Sequence, residues 1–368
     1  VKVLVAGASG LVGRAAAEAF AARPEWDVVG VSRRAPDLGP GIESEALDLT
    51  DAGACRAVAA GHPDVTHLVY AATYEAPGLA GGWFDDDVID LNAAMLRNLV
   101  EALEEHAPGL EHVSLLHGTK AYGLHTGLPV TPAMVPLRER LPRIEHRNFY
   151  FVQEEYLRSR PAGRGLTVFR PTVVYGEATG NNMNPLLPLV VYAALLRERG
   201  EPLHRPWAAD RVPLLVEAVD AGLVGEALVW AATAPAARGE TFNLTNGDVF
   251  TWEGLWPALA DELGMVAGEH RPVSFAGDVR GRGAEWAALV DRHGLAAPRD
   301  LDAFVGANSF VYTDIVVPGR GVPALPALNS TIKVRQAGFA ACLDTEDMVR
   351  RSIRGLRQAR MIPGKESA

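Results

Sequence analysis

The chain has 368 residues, 48% of them hydrophobic, a mean hydropathy of +0.04 and a formal net charge of −10. That is enough for a large core and one or two domains, and no apolar run approaches the roughly 20 residues a membrane span needs. The acidic balance argues against non-specific nucleic-acid binding, which requires a basic face.

Residues 1–7 read as an apolar first strand and 11–23 as the first helix. The second strand falls at 26–32, a short third at 44–47, a fourth at 67–72. Residues 88–106 carry helical spacing, with Leu91, Met95, Leu99 and Leu103 on one stripe. Strands five and six follow at 113–117 and 166–170. This alternation predicts an α/β fold, a Rossmann-type doubly wound parallel sheet with ligands at the strands' carboxyl ends. Residues 179–188, rich in Asn, Gly and Pro, read as a loop, 212–233 as a helical return and 240–244 as a further strand. The remainder predicts a smaller, discontinuous, mostly helical lobe for substrate. The expected division is 1–176 with 208–248 for the nucleotide and 177–207 with 249–368 for the substrate. Residues beyond 363 read as a disordered tail. The two cysteines, Cys55 and Cys342, are too few for a disulfide framework. With an opening that lacks a basic leader, they predict a cytoplasmic protein.

Gly7, Gly10 and Gly13 stand between the first strand and the first helix, where glycine permits a tight turn and close approach of a pyrophosphate. Ser9, Leu11 and Val12 complete that turn. After the second strand, where an acid would bind an NAD ribose, come Ser32, Arg33 and Arg34, which suit a 2′-phosphate. The cofactor predicted is NADPH. Asp48 and Leu49 are placed for the adenine edge, and Ala71, Ala72 and Thr73 for the wall behind it.

Lys120 follows the fifth strand and Tyr150 the loop beyond it. A tyrosine and a lysine beside a nicotinamide polarise a carbonyl oxygen, and a nearby ammonium is expected to lower the tyrosine pKa. The usual Tyr-x-x-x-Lys spacing is broken, because Glu154 stands four residues after Tyr150. Glu154 and Glu155 read as an exposed helix start, and His117 as a structural hydrogen-bonder. Trp83, Tyr122, Phe151, Met183 and Phe339 are candidates to wall an apolar pocket, while Trp252 and Trp256 are assigned to the core. No His, Cys and acid spacing predicts a metal site, and a hydrolase elbow is absent.

The segments 118–122, 148–155, 170–184 and 242–252, with Trp256 and 333–339, resemble the progesterone 5β-reductase / iridoid synthase-like enone reductases, an atypical branch of the extended short-chain dehydrogenases. The resemblance covers essentially the whole chain. It implies that Lys120 and Tyr150 are catalytic, stabilising an enolate oxygen while a hydride adds to the β-carbon of an α,β-unsaturated carbonyl. It adds Leu116, Tyr150, Pro171, Val174, Asn181 and Met183 to the cofactor wall and implies a homodimer. Phe151 departs from the family's second aromatic hydroxyl, and His117 and Ala121 also differ. Two alternatives stay open: carbonyl reduction or nucleotide-sugar chemistry, and an NADPH-binding sensor without turnover.

Overall fold

The computed structural model describes residues 1–160, 163–317 and 325–365. Its first half runs β1 (Lys2–Ala6), α1 (Leu11–Ala21), β2 (Asp27–Ser32), β3 (Ile42–Ala46), α2 (Ala52–Gly61) and β4 (Val65–Tyr70). It continues through α3 (Asp86–His106), β5 (His112–Leu116), α4 (Phe149–Arg158) and β6 (Gly165–Pro171). Then come β7 (Val174–Tyr175), α5 (Leu186–Glu198), β8 (Leu203–Arg205), β9 (Val219–Asp220), α6 (Ala221–Thr233) and β10 (Thr241–Leu244). The chain closes with α7 (Trp252–Glu262), β11 (Ala267–His270), α8 (Gly283–His293), α9 (Leu301–Val305), α10 (Ala307–Val316), α11 (Ile332–Gln336) and α12 (Thr345–Gln358).

The sheet is parallel throughout and seven-stranded, in the order β3-β2-β1-β4-β5-β6-β10. Its inner strands are largely buried because helices cover both faces, while the edge strand β3 is polar and partly exposed. On one face α1 and α6 pack very closely: a Cβ on Gly225 would lie 2.6 Å from the Ala15 carbonyl oxygen. On the other, the predicted stripe of α3 buries Met95, Leu99 and Leu103 against the sheet core. Strand order reverses between β1 and β4, so their carboxyl ends splay apart and leave a crevice.

A second core gathers α5, α7, α8, α9, α10 and α12 around Trp256, Trp286, Phe304 and Phe310. Trp252 and Trp256 belong to it, as expected. Two residues at the start of α10 fasten it to the sheet side. The Asn308 amide accepts from Gly78 N at 3.1 Å and donates to the Ala76 carbonyl at 3.0 Å. Ser309 donates to the Asn181 carbonyl at 2.5 Å and accepts from Asn184 N at 2.9 Å.

Several boundaries differ from expectation. The helical return begins only at Ala221, where Asp220 caps it by accepting from Leu223 N at 3.1 Å. Residues 212–218 form no helix, because Pro213 and the β-branched valines disfavour it. The polar loop is shorter than predicted, with α5 starting at Leu186. Of the expected tail, residues 366–368 lie outside the described residues, while the Gly364 carbonyl accepts from Arg197. Among the described residues no helix is long and apolar enough to cross a membrane.

Candidate active site

A cavity of about 1380 Å³ opens at the carboxyl ends of the sheet strands. At one end lies the glycine turn. Gly7 has φ +83°, and a Cβ there would come within 2.8 Å of the Ala72 backbone. Gly13 faces inward rather than into the cavity; its Cβ would meet the Gly7 carbonyl oxygen at 2.1 Å. It is therefore a packing residue beneath the turn, not part of the wall as predicted. Gly10 precedes α1 without any side-chain cap, so the first N–H groups of an 11-residue helix face the cavity. Glycine clearance, open N–H donors and volume together fit a dinucleotide pyrophosphate.

Ser9, Leu11, Val12, Ser32, Arg33, Arg34, Asp48, Leu49, Ala71, Ala72, Thr73, Leu116, Pro171, Val174, Asn181 and Met183 all line this same cavity. Arg33 and Arg34 are exposed at its mouth. The Ser32 hydroxyl donates to the Arg34 carbonyl at 2.6 Å, which leaves it an acceptor toward any ligand. Asp48 accepts from Thr50 N and Oγ1 at 2.9 and 2.7 Å, and these bonds hold its carboxyl below the usual range.

At the other end, Lys120 sits in the 3-10 turn Thr119–Tyr122 after β5, and Tyr150 is the second residue of α4. Asn148 starts that helix by accepting from Tyr150 N at 3.0 Å. Lys120 Nζ lies 5.3 Å from the centre of the Tyr150 ring, so the pair share a wall without bonding directly. The Tyr150 ring stacks on His117 at 4.5 Å. Its hydroxyl points past Gly118, where a Cβ would sit 3.1 Å from it.

The electrostatics differ from expectation in one respect. Burial, and then the negative Glu75, push the Tyr150 hydroxyl above its ordinary range instead of below it. Lys120 is paired with Glu75, whose Oε1 accepts from Nζ at 3.2 Å. Tyr150 is thus a neutral donor. Burial lowers the Lys120 pKa, and Glu75 opposes that shift. Burial and Arg170 likewise keep His117 neutral.

Three predicted pocket residues lie elsewhere. Tyr122 donates to Asn243 Oδ1 at 2.6 Å under the Arg170 guanidinium. Phe151 follows Tyr150 on the helix and so points about 100° away, packing beneath Arg143 at 4.6 Å. Phe339 packs on Trp230 at 5.7 Å, within the core between the sheet and α6. Trp83 does line the cavity, with Nε1 donating to Glu75 Oε2 at 3.1 Å. Glu154, expected on the surface, is buried and pairs with Arg158 at 2.8 Å and Arg143 at 3.3 Å. Glu155 is exposed as predicted.

Sequence reasoning missed Glu75, His125, Glu217 and Tyr312, all of which line the cavity. None lies in a motif, and each reaches the site only through the tertiary fold. Among the described residues one metal-capable trio forms, Glu43, Glu45 and His62. It stands at the β3 edge, where His62 is already bonded to Glu45 at 2.8 Å.

The sheet order and the glycine turn define an extended short-chain dehydrogenase fold. The NAD dependent epimerase/dehydratase family matches residues 3–244. The solved UDP-glucose 4-epimerase of Thermus thermophilus, 18% identical, superposes with a TM-score of 0.66 over 98% of this chain and 100% of its own. Nearer in sequence is the (S)-8-oxocitronellyl enol synthase of Antirrhinum majus, 30% identical over 98% of this chain and 92% of that one. The 3-oxo-Delta(4,5)-steroid 5-beta-reductase of Arabidopsis thaliana is 30% identical over 91% of this chain and 86% of its own. Within that wider class, the chain belongs to the progesterone 5β-reductase / iridoid synthase family.

Proposed function

We propose that this protein is an NADPH-dependent reductase of the C=C bond of α,β-unsaturated carbonyl compounds, working in the cytoplasm. The observation that carries the reading is the displaced lysine. Glu154 occupies the place of the usual lysine and is turned into an arginine pair, while Lys120 reaches the Tyr150 wall from another loop.

When bound, the dihydronicotinamide supplies the hydride. The chain's own task is then at the carbonyl oxygen, where negative charge develops as the β-carbon is reduced. Tyr150 donates its hydroxyl hydrogen to that oxygen, and Lys120 adds positive charge beside it. A hydroxyl held neutral by burial suits an enolate oxygen, which is less basic than the alkoxide formed in direct carbonyl reduction and needs stabilising more than full protonation. Trp83 and Tyr312 provide aromatic walls that keep water from the reacting carbons.

Arg33 and Arg34, exposed where an acid would select NAD, support NADPH as the cofactor. Replacing both with alanine is expected to weaken NADPH binding by roughly tenfold or more and leave NADH binding nearly unchanged, measured by fluorescence titration.

The reaction is tested by following dihydronicotinamide absorbance with cyclohexenone, an acyclic enal, progesterone and a saturated ketone, with products identified by mass spectrometry. Saturated carbonyl products from the enones are expected. Turnover of the saturated ketone alone would overturn the reading in favour of carbonyl reduction. Silence throughout, with tight NADPH binding, would favour a sensor.

A further inference from the structure

Glu75 lies in the segment after β4 and has no counterpart in the motifs that identify the site. Its side chain is 2% exposed, yet it carries a carboxylate. Oε1 accepts from Lys120 Nζ at 3.2 Å and Oε2 from Trp83 Nε1 at 3.1 Å, so each oxygen is engaged on the cavity wall. Around the same ammonium stand three aromatic rings, Trp83 at 4.9 Å, Phe149 at 5.1 Å and Tyr150 at 5.3 Å. Among the described residues Glu75 is the one carboxylate within ion-pair distance of Lys120.

We infer that Glu75 is a positioning residue: it serves as the buried counter-ion that holds the Lys120 ammonium, and with it the Trp83 wall, against the reacting end of the cavity. For catalysis this rests on the reductase reading above, but the ion pair itself does not. A lysine removed from water loses its charge unless a partner compensates the desolvation. Ring faces attract a cation but supply only a fraction of that compensation. Without the carboxylate, Lys120 would hold its proton less firmly and would lose the charge that helps polarise an oxygen at a lower pH. The other titratable groups facing it are Tyr150 from α4, Tyr312 from α10 and His125 from the loop after the 3-10 turn. Burial keeps both tyrosines protonated, and the His125 pKa, lowered to about 4, leaves that ring neutral across the working range. Glu75 is thus the group that decides the charge on Lys120.

The composition makes this directly measurable. Lysine occurs only at positions 2, 120, 333 and 365. Isotope-labelled lysine therefore gives four side-chain resonances, and the one missing from Lys120→Ala is assigned. In Glu75→Gln the Lys120 titration is expected to fall by roughly one to three pH units. In Glu75→Asp, which keeps the charge but withdraws it by one methylene, the fall should be smaller. The alkaline limb of kcat/KM for the enone should move down with the resonance, while NADPH affinity holds. An identical Lys120 titration in wild type, Glu75→Gln and Glu75→Asp overturns the inference. If Glu75→Gln does not fold, an Asp variant titrating like wild type does the same. A shifted resonance in a protein that reduces no enone leaves the ion-pair role standing and sinks the reductase reading instead.

Discussion

At the nucleotide end of the cavity Gly7, Gly10 and the first turn of α1 present main chain, and the nearby charges on Arg33, Arg34 and Asp48 stand in solvent. At the reacting end Lys120, Glu75 and Tyr150 are all buried, and each comes from a different stretch of chain. One end works by backbone shape, the other by desolvated side chains. Nucleotide binding should therefore respond to Cβ atoms and hardly to pH, whereas turnover should respond to single polar atoms and strongly to pH.

The largest expected effect separates the ends outright. Tyr150→Phe and Lys120→Ala should each lower kcat by roughly 100- to 1000-fold, with the dissociation constant for NADPH unchanged by fluorescence titration. The double variant should be little worse than either single one, since the two act on one oxygen. Unchanged turnover in both single variants would remove them from the mechanism.

Gly7→Ala tests the opposite end. The φ of +83° and the 2.8 Å approach to Ala72 both penalise a side chain. Calorimetric titration should show nucleotide binding weakened on the order of tenfold or more, with about 1–3 kcal/mol lost from stability. Normal binding in this variant would mean that backbone shape is not what holds the pyrophosphate.

Gly118→Ala sharpens the contrast at a smaller scale. Its φ of 179° is extended and strains no residue, but the new methyl would crowd the Tyr150 hydroxyl at 3.1 Å. We expect kcat to drop roughly tenfold through misplacement of that donor while NADPH affinity stays as in wild type. A crystal structure or NMR spectrum showing an unmoved Tyr150, together with unaltered kcat, would contradict this.

The last effect concerns how stability, rather than turnover, depends on pH. Burial raises the Glu217 carboxyl to about 7 from an ordinary 4.5, against the lowering effect of its bonds from Asn329. A raised native pKa means the folded chain holds a proton that the unfolded chain has released, so stability falls as pH climbs from the ordinary glutamate range through about 7. Glu217→Gln keeps an acceptor for Asn329 and should flatten that fall, gaining on the order of 2 kcal/mol above neutrality. Thermal melts across this range that stay parallel in both proteins would count against the buried charge.

The same division decides which parts of the molecule are legible in its sequence. The glycine turn, the strand order and the wall after each strand follow from local spacing, because a helix must follow a strand within a few residues for the turn to work. Lys120 and Tyr150 were legible as residue types beside a strand and a helix start. Glu75 and Tyr312 were not: an isolated acid after β4 and a tyrosine on α10 acquire meaning only when folding brings them to the same wall. Phe151 and Phe339 misled for a related reason. An aromatic next to a catalytic residue on a helix points elsewhere, and one near the C-terminus has a sheet edge to cover. Glu154 was misread because helix-start acids are usually solvated, and nothing local reveals the arginines that enclose it.

The Asn308 and Ser309 clasp has a consequence for how such a protein can be altered. Substrate preference in this fold invites the exchange of α10, since it carries Tyr312 and Ile315. That helix, however, is keyed by amide and hydroxyl to the loops at 76–78 and 181–184. Transplanting the helix alone would strand hydrogen-bonding groups on both sides of the seam. A workable chimaera has to carry the two receiving loops with it, which makes the heritable unit of specificity three separated segments rather than one.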